Sequence, residues 1–180
     1  DEPLDNMPLE TFLCIVADLA GQKPNLTVLF GGFGQPLVHL HIAEMVQKAG
    51  EVISRVELIT NGLLLSEKPV TQLIEAGLKT LWVFLDGASP ESYVNVRLSE
   101  LLKSVLENIT RYRDMYSHLH GGEPEIGAVF VAMKRNIDEL PNLLNLSTRV
   151  GILGYMVTNI LPYTPEMCEA VLNHRSIERI

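Results

Sequence analysis

The chain has 180 residues and a mass of 20.0 kDa, with 14 Lys and Arg against 22 Asp and Glu, a formal charge of −8. An acidic chain with no run of Lys or Arg offers no counterion-releasing surface to nucleic acid and no polybasic foot for a membrane, and no apolar stretch reaches the roughly 20 residues a bilayer crossing takes. At 47% hydrophobic and 20% charged residues, disorder is excluded as the main state, and the reading is one cytoplasmic domain with a sizeable core.

The opening segment, past an acidic Asp1-Glu2-Pro3-Leu4-Asp5 start that does not read as a signal peptide, places Leu9, Phe12, Leu13 and Val16 on one face at helical spacing. Five runs of apolar and β-branched residues follow, at Leu26 to Phe30, Arg55 to Ile59, Thr80 to Leu85, Ile126 to Val131 and Tyr155 to Val157. Helical segments separate them, the alternation expected of parallel strands joined by crossover helices. Ser66 before Glu67-Lys68-Pro69, Ser89 before Pro90-Glu91, Asn136 three residues ahead of Glu139, and Thr164 before Pro165-Glu166 all read as helix N-caps. Leu101, Val105, Ile109 and Tyr112 line one helix face, whereas Ser117 to Pro124, with His118, His120, Gly121 and Gly122, predicts an exposed loop.

In parallel α/β sheets ligands sit at the carboxyl ends of the strands. The five runs are followed by Gly31-Gly32-Phe33-Gly34-Gln35-Pro36, Thr60-Asn61-Gly62, Asp86-Gly87, Ala132-Met133-Lys134-Arg135-Asn136 and Thr158-Asn159. Glycine lets the backbone approach a ligand, and the amides, acid and base supply convergent hydrogen bonds to something small and polar. No Gly-Lys-Ser/Thr follows the glycines, so a phosphate P-loop is excluded, and the G-x-G-x-x-G dinucleotide fingerprint is also absent.

At Phe30-Gly31-Gly32-Phe33-Gly34-Gln35-Pro36-Leu37, Leu58-Ile59-Thr60-Asn61-Gly62 and Leu85-Asp86-Gly87-Ala88 the sequence resembles the radical S-adenosylmethionine (radical SAM) superfamily. Phe130 to Ile137 and Asn159-Ile160-Leu161-Pro162-Tyr163-Thr164 are similar to the branch of cofactor-modifying proteins of tungsten-containing aldehyde oxidoreductases. The resemblance runs from about Pro8 to about Met167. It implies an incomplete (βα)6 partial TIM barrel lacking the first strand, in which S-adenosylmethionine is held against a 4Fe-4S cluster and cleaved to a 5′-deoxyadenosyl radical. It maps the methionyl-amino motif onto Gly31, Gly32, Gly34, Gln35 and Pro36, and the carboxylate, ribose and adenine contacts onto Asn61, Asp86, Arg135 and Asn159.

Three departures bear on function. The family motif has Glu where this chain has Gln35, and an amide accepts a hydrogen bond from an ammonium without the ion pairing that a carboxylate adds. The family often has a small Ser where this chain has Phe84, which strand alternation puts on the face opposite Leu85. The family's cluster needs three thiolates from a Cys-x-x-x-Cys-x-x-Cys loop after its first strand, and this chain has only Cys14 and Cys168.

The expectation is therefore a single truncated domain over 1–180. Its intact parent is an oxidoreductase or cofactor-maturation enzyme carrying S-adenosylmethionine and 4Fe-4S, while this chain alone binds neither productively and is inactive. Two alternatives stay open: a cluster-free domain binding adenosyl compounds, and a scaffold docking partners through an exposed sheet edge. Without a preceding strand, Leu26 to Phe30 becomes that edge, covered by the leading segment, by a second copy of the chain or by a neighbour in a crystal. His39-Leu40-His41 and His118-Leu119-His120 lack a third nearby ligand and read as structural or solvated histidines. Trp82 and Phe84 read as core of a central strand, and Arg97 as either a ligand contact or an exposed ion pair.

Overall fold

The computed structural model describes residues 6–20, 25–32, 34–87 and 102–172. In chain order these form α1 (Leu9–Leu19), β1 (Thr27–Phe30), α2 (Ile42–Gly50), β2 (Arg55–Thr60), α3 (Glu67–Glu75), β3 (Thr80–Phe84), α4 (Leu102–His120), β4 (Glu125–Ala132), α5 (Leu140–Arg149), β5 (Gly154–Asn159) and α6 (Pro165–Ala170). The strands make one parallel sheet in the order β1-β2-β3-β4-β5. It curls into a half-barrel with helices on its outer face, a partial TIM-barrel architecture.

Alternation along the strands divides each into an outer and an inner set. The outer set, including Val56, Leu58, Leu81, Val83, Leu85, Ile126, Ala128 and Phe130, packs with Val46, Val70, Leu73, Val105, Ile109 and Tyr112 of the helices into one core. Burial pushes the Tyr112 phenol well above its ordinary value. The inner set follows from the register. Thr27 and Arg55 begin it, Leu29, Glu57, Thr80 and Glu125 form the next layer, Ile59, Trp82, Gly127 and Gly154 the middle one, Phe84, Val129 and Met156 the one above, and Val131 and Thr158 the one nearest the strand ends.

Five parallel strands stand where five apolar runs predict them, and Leu26 to Phe30 supplies an edge strand that pairs only with β2 among the described residues. The leading segment covers its outer side, where the Phe12 ring lies 5.5 Å from that of Phe30. Its inner side is open, with Leu29 47% exposed.

Several local expectations need correcting. Ser117 to His120 is not loop: α4 runs through it and ends at Gly121, whose φ of 69° breaks the helix as its N–H bonds to the Ser117 carbonyl. The His120 ring lies 4.7 Å from that of Tyr116, one turn back. Thr164 caps α6 through Met167 N–H, but Ser66 makes no side-chain cap, and the Asn136 side chain is used elsewhere. On α1, Phe12 and Val16 are buried while Leu13 is exposed. Trp82 and Phe84 do not belong to the helix-side core; both stand half-buried on the inner face. Ser89 and Arg97 lie outside the described residues. Among the described residues no helix is long and apolar enough to cross a membrane.

Candidate functional site

Because every strand is parallel, the segments after Phe30, Thr60, Phe84, Ala132 and Asn159 all leave from one rim of the sheet. At the β1 corner the chain turns through Gly31 to Gln35 into a short 3-10 helix, Pro36–Val38. Gly32 adopts φ 111°, a backbone few side chains tolerate, and among the described residues a Cβ on either Gly32 or Gly34 would meet nothing within 4 Å. The loop thus offers its backbone to open space. A cavity of about 460 Å³ lies beside it, walled by Phe12, Leu29, Gly31, Gly34, Gln35 and His39 among others, a size usual for small-molecule sites.

Gln35 ties this loop to the neighbouring strand. Its Nε2 donates to Thr60 Oγ1 at 2.9 Å and to Asn61 Oδ1 at 2.7 Å. Those acceptors are held in turn, Thr60 Oγ1 by Gly62 N–H and Asn61 Oδ1 by Leu63 N–H, each at 3.1 Å. With both amide hydrogens committed, the Gln35 Oε1 is left as an acceptor that takes no hydrogen bond among the described residues, on a side chain that lines the cavity.

Further along the rim, buried Asp86 accepts Val131 N–H on Oδ1 at 2.8 Å. Asn136, equally buried, accepts Met133 N–H at 2.7 Å and donates to the Asp86 and Val131 carbonyls at 3.1 and 3.0 Å. Together they lock the end of β3 to the turn after β4. Arg135 is exposed and among the described residues reaches only Met133 Sδ, at 3.5 Å. Asn159 is register partner of Ala132, a core residue, so it shares the outer side of the sheet while its neighbour Thr158 takes the inner side. The fold therefore brings Gln35 and Asn61 into contact and sets Asp86 on the same rim, whereas Arg135 and Asn159 make no hydrogen bond to the other candidates.

The sequence names Thr60 and Asn136 at the strand ends without their bracing roles, and it does not point to a polar group at the opposite end of the inner face. There Arg55 donates to Glu57 Oε1 at 2.5 Å, to Thr80 Oγ1 at 2.7 Å and to Glu125, and Thr80 Oγ1 donates to Glu125 at 3.0 Å. Hydrogen bonds from the two carboxylates raise the Arg55 pKa, and the Arg55 bond holds the Glu125 carboxyl below its ordinary value. The signal was readable: Arg55 and Glu57, two residues apart in an apolar strand, must share one face.

The chain's cysteines are far apart in sequence and unpaired, Cys14 exposed on α1 and Cys168 on α6. Two thiolates do not make the donor set of an iron–sulfur cluster, and among the described residues no three His, Cys, Asp or Glu are grouped to hold a metal. His39 serves the chain itself, its Nε2 donating to the Met7 carbonyl at 2.9 Å while Nδ1 accepts His41 N–H at 3.1 Å.

No family model matches the chain. It is 29% identical over 178 residues to the tungsten-containing aldehyde ferredoxin oxidoreductase cofactor-modifying protein of Pyrococcus furiosus, covering 96% of this chain and 49% of that one. It is also 29% identical over 143 residues to the AdoMet-dependent heme synthase of Methanosarcina barkeri, covering 78% of this chain and 38% of that one. These likenesses support a radical SAM domain. Its fold agrees with that of Streptococcus suis SuiB bound to S-adenosylmethionine at a TM-score of 0.70, with 15% identity and coverage of 92% of this chain and 36% of that one. The chain thus spans half or less of the length of these three relatives.

Proposed function

We propose that the rim of this radical SAM domain holds S-adenosylmethionine, and that the parent enzyme, an oxidoreductase or cofactor maturase of the cytoplasm, cleaves it reductively. The observation that carries this reading is the Gln35 carboxamide: anchored through Nε2 to Thr60 and Asn61, it presents Oε1 beside a glycine loop open to solvent. An ammonium needs such an acceptor, and a pre-oriented one costs little ordering on binding. Gly31, Gly32, Gly34 and Pro36 shape that corner, and Asn61 steadies it. Asp86 holds the rim through its carboxylate, and Arg135 and the backbone of Asn159, whose side chain turns to the outer side of the sheet, supply the remaining polar contacts. S-adenosylmethionine, when bound and reduced, furnishes the hydrogen-abstracting radical of this chemistry. The residues of this chain bind and orient it, and its two cysteines leave the 180 residues alone without a cluster and inactive.

Two measurements test this. Calorimetric titration with S-adenosylmethionine and S-adenosylhomocysteine should give weak, iron-independent heats with both, reduced about tenfold or more by Gln35→Ala, the loss expected for one hydrogen bond to a charged group. Absence of heat with either compound at millimolar concentration refutes the cradle. Anaerobic reconstitution with iron and sulfide should yield no 5′-deoxyadenosine from this chain, and its appearance would refute inactivity. The open β1 edge further supports self-association, which a mass that rises with concentration in light scattering would reveal.

A further inference from the structure

The lone tryptophan has a placement that core packing does not require. Trp82 stands on the inner face in the middle layer, opposite Gly127, which is itself opposite Gly154. A Cβ on Gly127 would come within 2.2 Å of the indole atoms Cε3 and Cζ3, and one on Gly154 within 3.5 Å of Cη2. The ring therefore lies flat across β4 and reaches β5, in a slot that two glycines make. Its rotation is set from the other side: Nε1 donates to Glu57 Oε2 at 2.7 Å, while Glu57 Oε1 takes Arg55 Nε. Glu57 is thus a bracket with one oxygen on the indole and the other on a guanidinium that is itself tied to Thr80 and Glu125.

A cavity of about 280 Å³ borders Trp82, Arg55, Thr80, Glu125, Gly127 and Gly154. Those partners sit at the amino ends of the strands, so the space lies on the side of the ring away from the rim. An indole released from Glu57 has room to swing into it. Above the ring lie the layer of Phe84, Val129 and Met156 and, on β4 and β5, that of Val131 and Thr158, before the rim.

We propose that Glu57 is a positioning residue that holds Trp82 across the glycine slot as the floor of the lumen, so that a ligand at the rim rests on a closed surface and cannot sink toward the amino ends of the strands. The proposal rests on the adenosyl-ligand reading for its ligand and on Glu57 and Trp82 alone for the clamp.

Because Trp82 is the only tryptophan of the chain, its fluorescence reports the clamp directly. The test compares wild type, Glu57→Ala, Glu57→Gln and Gly127→Ala by acrylamide quenching of Trp82 and by titration with S-adenosylhomocysteine, with circular dichroism confirming the fold. Glu57→Ala should raise the quenching constant about threefold or more. It should also weaken S-adenosylhomocysteine by about tenfold, the scale of one charge-assisted hydrogen bond. Glu57→Gln, whose amide oxygen still accepts the indole N–H, should restore both in large part. Gly127→Ala displaces the ring from its other side and should reproduce the rise in quenching, which keeps the test alive if Glu57→Ala fails to fold. Unchanged quenching in Glu57→Ala and Gly127→Ala overturns the clamp. Increased quenching with unchanged affinity overturns the floor and leaves only a structural bond. If wild type binds no S-adenosylhomocysteine, the ligand reading fails and the floor falls with it, while the quenching series still decides the clamp.

Discussion

Asn136 carries the most exposed consequence of the rim's construction. Its buried carboxamide makes three hydrogen bonds, one from Met133 N–H and two to the carbonyls of Asp86 and Val131. Replacement by Ala strands all three backbone groups in a buried site. At about 1 kcal/mol for each bond the expected loss is about 3 kcal/mol, which for a chain of this size lowers the melting temperature by about 6–12 °C. Paired urea titrations followed by circular dichroism would read it as a shift in midpoint at constant slope. Asn136→Asp makes the argument sharper, because a carboxylate still accepts Met133 N–H but cannot donate to either carbonyl, and it adds charge beside Asp86. It should cost at least as much at neutral pH. A loss below about 1 kcal/mol in both variants would mean that the ends of β3 and β4 are held by something other than this side chain.

Three further outcomes follow from single contacts. Ser147 is fully buried and its hydroxyl has no partner among the described residues, so Ser147→Ala should raise stability by about 1 kcal/mol in thermal melts, and a loss would mean that the hydroxyl is satisfied after all. A Cβ on Gly31 would stand 2.2 Å from Ile59 Cγ2. Gly31→Ala should therefore destabilise by about 1–3 kcal/mol, and a double-mutant cycle with Ile59→Ala should recover part of it, additivity being the contrary result. The Arg55 hydrogen bond holds the Glu125 carboxyl below its ordinary 4.5, so ionised Glu125 adds stability that is complete above that value and is lost as the pH falls through the lower folded-state value. Glu125 is more than half exposed, so screening keeps the effect small. Glu125→Gln should fall off less steeply than wild type below about pH 4.5 in acid titrations, and identical slopes would dismiss the ion pair as a pH-dependent contributor.

The residues that the sequence exposed and those it hid differ in the range of their interactions. The apolar runs and their helical separators obey periods of two and 3.6, which each segment shows by itself. Strand ends rich in glycine and amide are likewise local, and once all five strands are parallel these ends must leave from one rim. The Phe84 side was also legible, since alternation sets it against Leu85 and both keep that relation in the sheet. The misreading of Ser117 to His120 was local too: the two glycines that follow pulled the predicted loop four residues early, whereas the stop waits for the one at positive φ. Trp82 was misassigned because an aromatic in a central strand is apolar on either face, and only its neighbours say which one it uses.

From the amino acids alone came the α/β class, the parallel order implied by crossover helices, the rim and the shortage of thiolates, because each rests on pattern or composition. The tertiary structure alone decided how the rim is built: that Gln35 spends its amide hydrogens on Thr60 and Asn61, that Asn136 braces Asp86, that Asn159 turns to the outer side of the sheet, and that Glu57 holds an indole over two glycines. The bonds made by Gln35, Asn136 and Glu57 in this set join residues 25 to 50 positions apart. No local period encodes such pairings, since they exist only once strand register has set one face of each segment against the next.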